Sequence, residues 1–293
     1  MQRDRKKQKV AIALEGLSDE LVWAEVQRRQ RGISAKPKKI KQVEIETLLS
    51  QSEEVGEDVP NGDFYARTRK LEGLAPILAD RLDLIVLVHR LREVVAQVGF
   101  TRFEAAMPDI DRELALAVRR AALDPDPTWV PAIENKGKGV FLSFRPDAIE
   151  QWQKRQTVQN RGQALERGFQ AWCQQRGLTS DQAKFPGLPY IMLHSLSHLL
   201  ITAVSLECGY AASSIRERIY AGESGYGILL YTGTSGSEGT LGGLVQVGKR
   251  IECHLLSALE MGQLCSNDPV CAQHAPTNAQ EDRFLHGAVT DVS

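Results

Sequence analysis

Several things are scarce in this sequence, and each scarcity removes a class of function. The 293 residues hold only five cysteines, Cys173, Cys208, Cys253, Cys265 and Cys271. An odd number spread over a long chain, with no signal peptide pattern at its start, is not a disulfide framework and points to reduced thiols in the cytoplasm. Charge of one sign is also missing: the formal net charge is -1. The whole molecule is therefore no polyelectrolyte, and any nucleic-acid surface must come from local segregation of basic residues. No apolar run reaches the length of a membrane span uninterrupted. The longest candidate, 188–206, is broken by His194, Ser195, Ser197 and His198, which favours a buried helix of a soluble domain and no membrane partner.

Catalytic signatures are equally thin. Gly137-Lys138-Gly139 lacks the upstream glycine and the following Ser/Thr of a P-loop. Gly233-Thr234-Ser235-Gly236-Ser237 misplaces its serine relative to the nucleophile-elbow pattern. No paired carboxylate stands out. Composition and pattern alone imply a cytosolic mixed α/β protein with a ligand or partner loop and a possible zinc element.

What is present is an ordinary globular composition, 42% hydrophobic and 25% charged. The length suits two domains. Residues 1–60 hold a basic helical segment followed by an acidic, breaker-rich linker; the basic flanks either touch phosphates or form a solvated face. Residues 61–180 combine strand candidates with helices. Leu84-Ile85-Val86-Leu87-Val88 has the continuous apolar character of a strand buried on both faces, and Val140-Phe141-Leu142-Ser143-Phe144 is a second. His89, beside the first, is expected to be a satisfied structural histidine. Amphipathic helices are expected over 112–123 and 147–178. The main boundary is placed in the Pro/Gly-punctuated stretch 181–189, and residues 181–293 form the last domain. The fold class is α/β in the mixed α+β sense: helix-rich, with short buried strands.

The most informative stretch lies in that last domain. Gly227-Ile228-Leu229-Leu230-Tyr231 is a strand candidate that opens into Thr232-Gly233-Thr234-Ser235-Gly236-Ser237-Glu238-Gly239, with a helix expected over 241–261. A strand delivering a Gly/Ser/Thr loop to a helix start can present backbone N–H groups to an anion or a partner chain. The same pattern also serves as a plain flexible connection.

Two further groups carry metal chemistry. His194 and His198 are four apart on an expected helix and share a face, so they can share a zinc ion. Ser195 stands where a metalloprotease needs glutamate, and the pair is expected to be structural, bonded to backbone or to the Gly-rich loop. Cys265-Ser266-Asn267-Asp268-Pro269-Val270-Cys271 puts two thiols on a short loop. Reduced thiols on a loop suit zinc, with His274 and His286 available to complete the set; two unrelated thiols are the alternative.

Taken in order, these segments resemble one family. His194-Ser195-Leu196-Ser197-His198, Ser213-Ser214-Ile215-Arg216-Glu217-Arg218-Ile219-Tyr220, the Gly227–Thr232 strand, Gly236-Ser237-Glu238-Gly239-Thr240-Leu241-Gly242-Gly243-Leu244 and the Cys265–Cys271 loop are similar to the C-terminal zinc-binding domain of MrfA-type DNA-repair helicases. The same domain occurs in DrmB-type components of the DISARM anti-phage system. Arg90-Leu91-Arg92-Glu93-Val94, Gly99-Phe100-Thr101-Arg102 and Trp129-Val130-Pro131-Ala132-Ile133-Glu134 extend the DrmB-type resemblance to most of the chain from about residue 64.

The resemblance implies a non-catalytic subunit that supports DNA binding by a separate helicase/ATPase. Arg216, Arg218, Lys249 and Arg250 are then candidate phosphate contacts, unless they pair with Glu217 or Glu252. It also implies a zinc ion with Cys265 and Cys271 among its ligands. The family continues with Cys-His-x-Cys after the position of Ala288, whereas this chain has Val289-Thr290-Asp291-Val292-Ser293. Those residues can be encoded as GTC-ACG-GAT-GTC-TC, and the same letters with a T in front, read in the neighbouring frame, give TGT-CAC-GGA-TGT-CTC, which is Cys-His-Gly-Cys-Leu. The expectation is a C-terminal truncation by frameshift that leaves zinc absent or weakly held, with loss of folding free energy on the order of 10 kcal/mol and a loose tail after Met261. The rival readings are an enzyme acting on a phosphate or nucleotide at the Thr232–Gly239 loop with His194 or His198 as acid/base, and a non-functional remnant.

Overall fold

A computed structural model describes residues 18, 20, 22, 23, 27, 38–50, 52–97, 99–100, 121–123, 128–175, 177–179, 183–208, 211–232 and 243–263. Two compact units are distinguished, Met1–Lys39 and Ile40–Ser293. In the first, Glu20, Val22, Trp23 and Gln27 are helical. The second holds everything that follows.

The second unit is organised by a six-stranded sheet. Its strands are β1 (Glu54–Gly56), β2 (Phe64–Arg69), β3 (Leu82–Ala96), β6 (Ala132–Phe144), β7 (Ile215–Gly222) and β8 (Gly225–Thr232). They lie in the order β1-β2-β3-β6-β8-β7, and each neighbouring pair is antiparallel. The two-residue strands β4 (Gly99–Phe100) and β5 (Ala121–Ala122) pair separately. Strands from either side of the expected 181–189 boundary therefore pair directly, as β6 with β8.

Both faces of the sheet are covered. One carries Ile85, Leu87, Val140, Leu142, Ile228, Leu230, Ile215 and Ile219, packed beneath helices. The covering helices include α5 (Leu188–Cys208), α6 (Gly243–Gly248) and α7 (Ile251–Gln263). The other face carries Val86, Val88, Phe141, Leu229, Tyr231 and Tyr220 under Ile45 and Leu48 of α1 (Ile40–Leu48). Burial on both faces explains the unbroken apolar runs in the central strands, since alternate residues feed two different cores. Among the described residues of this unit, the other α-helices are α2 (Pro76–Ala79), α3 (Pro146–Gln153) and α4 (Gln156–Gln175), with a 3-10 turn at Ala212–Ser214.

Helix α5 is long and apolar enough to cross a bilayer by composition. Here it lies on the sheet, with Leu193, Leu200 and Val204 fully buried. Three of its hydroxyls bond back within the helix: Ser195 Oγ donates to the Ile191 carbonyl at 2.9 Å, Ser197 Oγ to that of His194 at 2.6 Å, and Thr202 Oγ1 to that of His198 at 3.0 Å, whereas the buried Ser205 Oγ has no hydrogen-bond partner among the described residues.

Several expected elements differ. The strands are not uniformly short: β3 has 15 residues and β6 has 13. Leu84–Val88 is only part of β3, which starts at the buried Leu82 and runs on through His89 and Arg92 to Ala96. The helix expected over 147–178 is two helices, broken at Lys154 and Arg155. The helix expected over 241–261 is likewise two, α6 and α7, broken at the turn Lys249–Arg250. Of the segment 112–123, residues 112–120 lie outside the described residues, while Ala121 and Ala122 are a strand.

The outer halves of β3 and β6 leave the core together. Val94 pairs with Glu134 and Ala96 with Ala132. Among the described residues, β8 pairs with β6 only from Gly139 to Phe144, and β2 with β3 only as far as Leu91. The result is a two-stranded ribbon on which Val94, Val95 and Ile133 are exposed. The register of β3 against β6 shifts between Val88 and Leu91, and that of β2 against β3 between Tyr65 and Ala66. Such irregularities bend and twist a strand locally. His89 sits in this irregular stretch, its ring centroid 5.6 Å from that of Tyr65. Burial lowers its pKa from the usual histidine range, helped by the nearby charge of Arg67.

Candidate functional site

Strand β7 alternates between two faces with different chemistry. Ile215, Glu217 and Ile219 share one side by the two-residue period of a strand. Ile215 and Ile219 belong to the core under the helices, so Glu217 points at α5. Arg216, Arg218 and Tyr220 occupy the other side.

His194 and His198 lie one turn apart on the face of α5 that meets Glu217. His194 Nδ1 stands 2.5 Å from Glu217 Oε1, and His198 Nε2 stands 3.5 Å from the same oxygen. The two imidazoles meet edge to face, with centroids 4.5 Å apart and planes at 90°. Tyr190 stacks on the outer side of His194 at 6.0 Å. The His194 side chain is 5% exposed, Glu217 17% and His198 28%. One donor atom from each of the three falls within 4.8 Å of the others.

The hydrogen bonding of this cluster is incomplete. The close approach of His194 Nδ1 to Glu217 lacks hydrogen-bond alignment. Both ring nitrogens of His194 and Oε2 of Glu217 are buried without a hydrogen-bond partner among the described residues. Leaving such groups unsatisfied costs roughly 1–3 kcal/mol each, which is why native structures rarely do so without a ligand, water or ion at hand. His194 and His198 were expected to bond to backbone or to the Gly-rich loop; their shared neighbour is instead a carboxylate from the edge strand. Glu217 is the residue that sequence reasoning missed. The available signal was its place between Ile215 and Ile219, which puts a carboxylate on a core-facing row.

The four basic candidates are placed differently from one another. Arg216 Nη1 donates to Glu93 Oε2 at 2.8 Å and is 45% exposed. Arg218 is 15% exposed and its Nε lies 2.7 Å from Glu44 Oε2. Burial acts to lower its pKa, but the Glu44 carboxylate outweighs this with its neighbours and the net shift is upward. Arg250 is 74% exposed, 3.7 Å from Glu207. Lys249 is exposed beside it in the turn between α6 and α7. The carboxylates expected to neutralise these cations, Glu217 and Glu252, serve other partners: Glu217 faces the histidines, and Glu252 holds Arg69.

Glu93 is a second polar centre. Besides Arg216, it accepts from Tyr231 Oη at 2.7 Å, and Asn135 Nδ2 lies 3.4 Å away. Burial, then the Glu93 carboxylate, push the Tyr231 hydroxyl up to about 12. The base of the ribbon is thus tied to β7 and β8.

The Gly-rich loop is reached only at its start. Thr232 is the last residue of β8, fully buried, and its Oγ1 lies 3.3 Å from both the nitrogen and the carbonyl oxygen of Lys138. Gly233, Thr234, Ser235, Gly236, Ser237, Glu238 and Gly239 lie outside the described residues, as do Cys265, Cys271, His274 and His286. The expected tail after Met261 lies outside them too, apart from Gly262 and Gln263, which complete α7.

Comparison with known proteins shows what the chain is similar to. Residues 196–278 match the family described as the MrfA Zn-binding domain, MZB. The match opens inside α5, takes in His198, Glu217, β7, β8, α6 and α7, and ends beyond the Cys265–Cys271 loop. Over 232 residues, 78% of its length, the chain is 34% identical to the DISARM protein DrmB of Bacillus paralicheniformis. This chain is a relative of DrmB. It spans about 40% of that protein's length. Its own structure has the mixed α/β fold expected, in the form of an antiparallel sheet between helices. His194 lies just outside the MZB match, so the cluster it forms joins the matched segment to the part of α5 that precedes it.

Proposed function

We propose that this chain is a helicase-associated, non-catalytic subunit of a DISARM-like phage-defence complex, supporting DNA binding by a separate ATPase. The observation that carries the proposal is the likeness to DrmB over most of the chain, joined with the MZB match. In the proposed role the fold supplies shape and local positive charge to a motor made elsewhere.

The DNA contacts are proposed to be to the phosphate backbone, where cations position a duplex without reading its sequence. Lys249 and Arg250, exposed together in the α6–α7 turn, are the best placed of the four basic candidates. Arg216 contributes from the edge strand, and Arg218 acts indirectly by fixing α1 through Glu44. The Thr232–Gly239 loop is proposed as a partner or anion contact. Zinc, where bound as in the matched family, is proposed to be held by Cys265 and Cys271 and to order the segment after α7; thiolate donors suit that ion.

Co-expression with a candidate helicase/ATPase subunit of a DISARM-like system, followed by co-purification and a DNA-binding titration in salt, tests the reading. The expected result is a stable complex whose DNA affinity falls steeply with salt. In Lys249→Ala/Arg250→Ala it should fall less steeply, by about one unit of log–log slope for each phosphate no longer neutralised. Absence of co-purification together with salt-insensitive binding overturns it. His198→Ala separates this reading from a hydrolytic one: turnover abolished in that variant favours the enzyme, whereas a supporting subunit keeps its DNA binding.

A further inference from the structure

We propose that His194, His198 and Glu217 form a binding site for a divalent metal ion of the zinc class, built without cysteine and clamping α5 to the edge strand β7. The donor set has the right chemistry. Neutral imidazole nitrogens and a carboxylate oxygen suit zinc and its first-row neighbours, and two histidines with one glutamate are a recognised three-ligand zinc set. Donors bound at about 2.0–2.1 Å around a tetrahedral ion lie about 3.3 Å apart. His198 Nε2 and Glu217 Oε1 are 3.5 Å apart, and all three donors lie within 4.8 Å of one another.

Hydrogen bonding supplies a second, independent observation. His194 is 4% exposed, and neither of its ring nitrogens has a hydrogen-bond partner among the described residues. Its neighbour Glu217 Oε1 is close but not aligned for a hydrogen bond. A metal ion between these atoms satisfies the nitrogen and the carboxylate together and needs only a small widening of their contact.

The electrostatics also suit a cation. Glu217 brings negative charge to the core side of β7, while its neighbours Arg216 and Arg218 leave by the opposite face, where they pair with Glu93 and Glu44. Tyr190 closes the site beyond His194. His198, 28% exposed, marks the side on which an ion enters and on which a fourth ligand, water or a partner's side chain, completes the tetrahedron. Edge strands are the weak margin of a sheet. A shared ion fastens this one to the long helix above it.

The test uses the full chain, stripped with a chelator and dialysed, then titrated with zinc chloride and separately with cobalt chloride. Metal content is read by elemental mass spectrometry. The cobalt spectrum distinguishes nitrogen and oxygen donors, which give no thiolate charge-transfer band, from cysteine donors, which do. In Cys265→Ser/Cys271→Ser one ion per chain is expected to remain, without the thiolate band. Adding His198→Gln to that background is expected to weaken binding by at least about tenfold, the effect of removing even an outer-shell partner of a metal. Glu217→Gln should do the same. Because His198 is partly exposed, its variant is the one expected to keep the native circular dichroism, and it decides the matter if Glu217→Gln fails to fold. No ion bound in the cysteine-substituted background, or affinity unchanged by His198→Gln, overturns the proposal.

Discussion

Replacing Glu252 by glutamine should destabilise the fold by about 2 kcal/mol, through one guanidinium. Arg69, at the end of β2, donates to both carboxylate oxygens of Glu252, at 2.7 and 3.0 Å, and to the Gly248 carbonyl at 3.1 Å. One side chain thereby binds the first turn of α7 and the end of α6 to the sheet. The two side chains are 16% and 23% exposed, between the surface case, worth at most about 1 kcal/mol, and the buried one, where removing a partner costs about 3–5 kcal/mol. Two charge-assisted bonds in a bidentate fork sit near the middle of that range. With a urea slope of about 3 kcal/mol/M, the midpoint should fall by about 0.7 M.

The effect should also depend on pH. The Arg69 hydrogen bonds, against an opposing contribution from burial, hold the Glu252 carboxyl below its ordinary value of 4.5. A depressed folded-state pKa means that the stabilisation is fully present above the unfolded value and is lost as pH falls through the folded one. The gap between native protein and Glu252→Gln should be constant near neutrality and close progressively below about pH 4.5. A double-mutant cycle with Arg69→Met gives the coupling directly, expected at about 1–2 kcal/mol. Coupling within the roughly 0.3–0.5 kcal/mol scatter of independent sites, or a gap that stays constant down to acid pH, would refute the reasoning.

Two glycines should respond differently to the same substitution. A Cβ on Gly227 would come within 2.5 Å of the Phe141 ring, whereas one on Gly139 would come within 2.4 Å of the Leu230 carbonyl oxygen. Gly227→Ala should be partly rescued by Phe141→Leu, while Gly139→Ala should not, since backbone cannot step aside; chemical denaturation of the single and double variants distinguishes the cases. Phe141→Ala alone should cost about 3–5 kcal/mol by the same measurement, because the ring is fully buried and edge-on to Tyr220 at 5.8 Å.

How much of this was legible in the sequence depends on whether the deciding contact is local. Leu84–Val88 announces a doubly buried strand because apolar residues fill both faces. The continuation to Ala96 does not, because Arg92 and Glu93 are partnered by distant residues: Arg92 bridges Asp63 and Glu134, at 2.9 and 2.8 Å, and Glu93 takes Arg216 and Tyr231. The pairing of His194 with His198 follows from helical spacing alone. Their third member comes from the neighbouring strand, and only the Ile215-x-Glu217-x-Ile219 alternation hints at it. Arg218 illustrates the converse. A cation on an amphipathic strand looks like a phosphate contact, but Glu44 lies on a helix far toward the N-terminus, and covering that face with α1 turns a surface charge into a largely buried pair.

The ribbon formed by the outer halves of β3 and β6 has a mechanical consequence. Its two strands are not an appended hairpin; they run on into the centre of the sheet, between β2 and β8. A pull along them loads the interior ladders in shear, many hydrogen bonds at once, rather than peeling one strand from a margin. The register shifts near His89 form a compliant joint between tip and core. Anything that grips Val94, Val95 or Ile133 therefore holds a stiff handle whose torque is felt first at Glu93, and through Arg216 at the strand that carries Glu217.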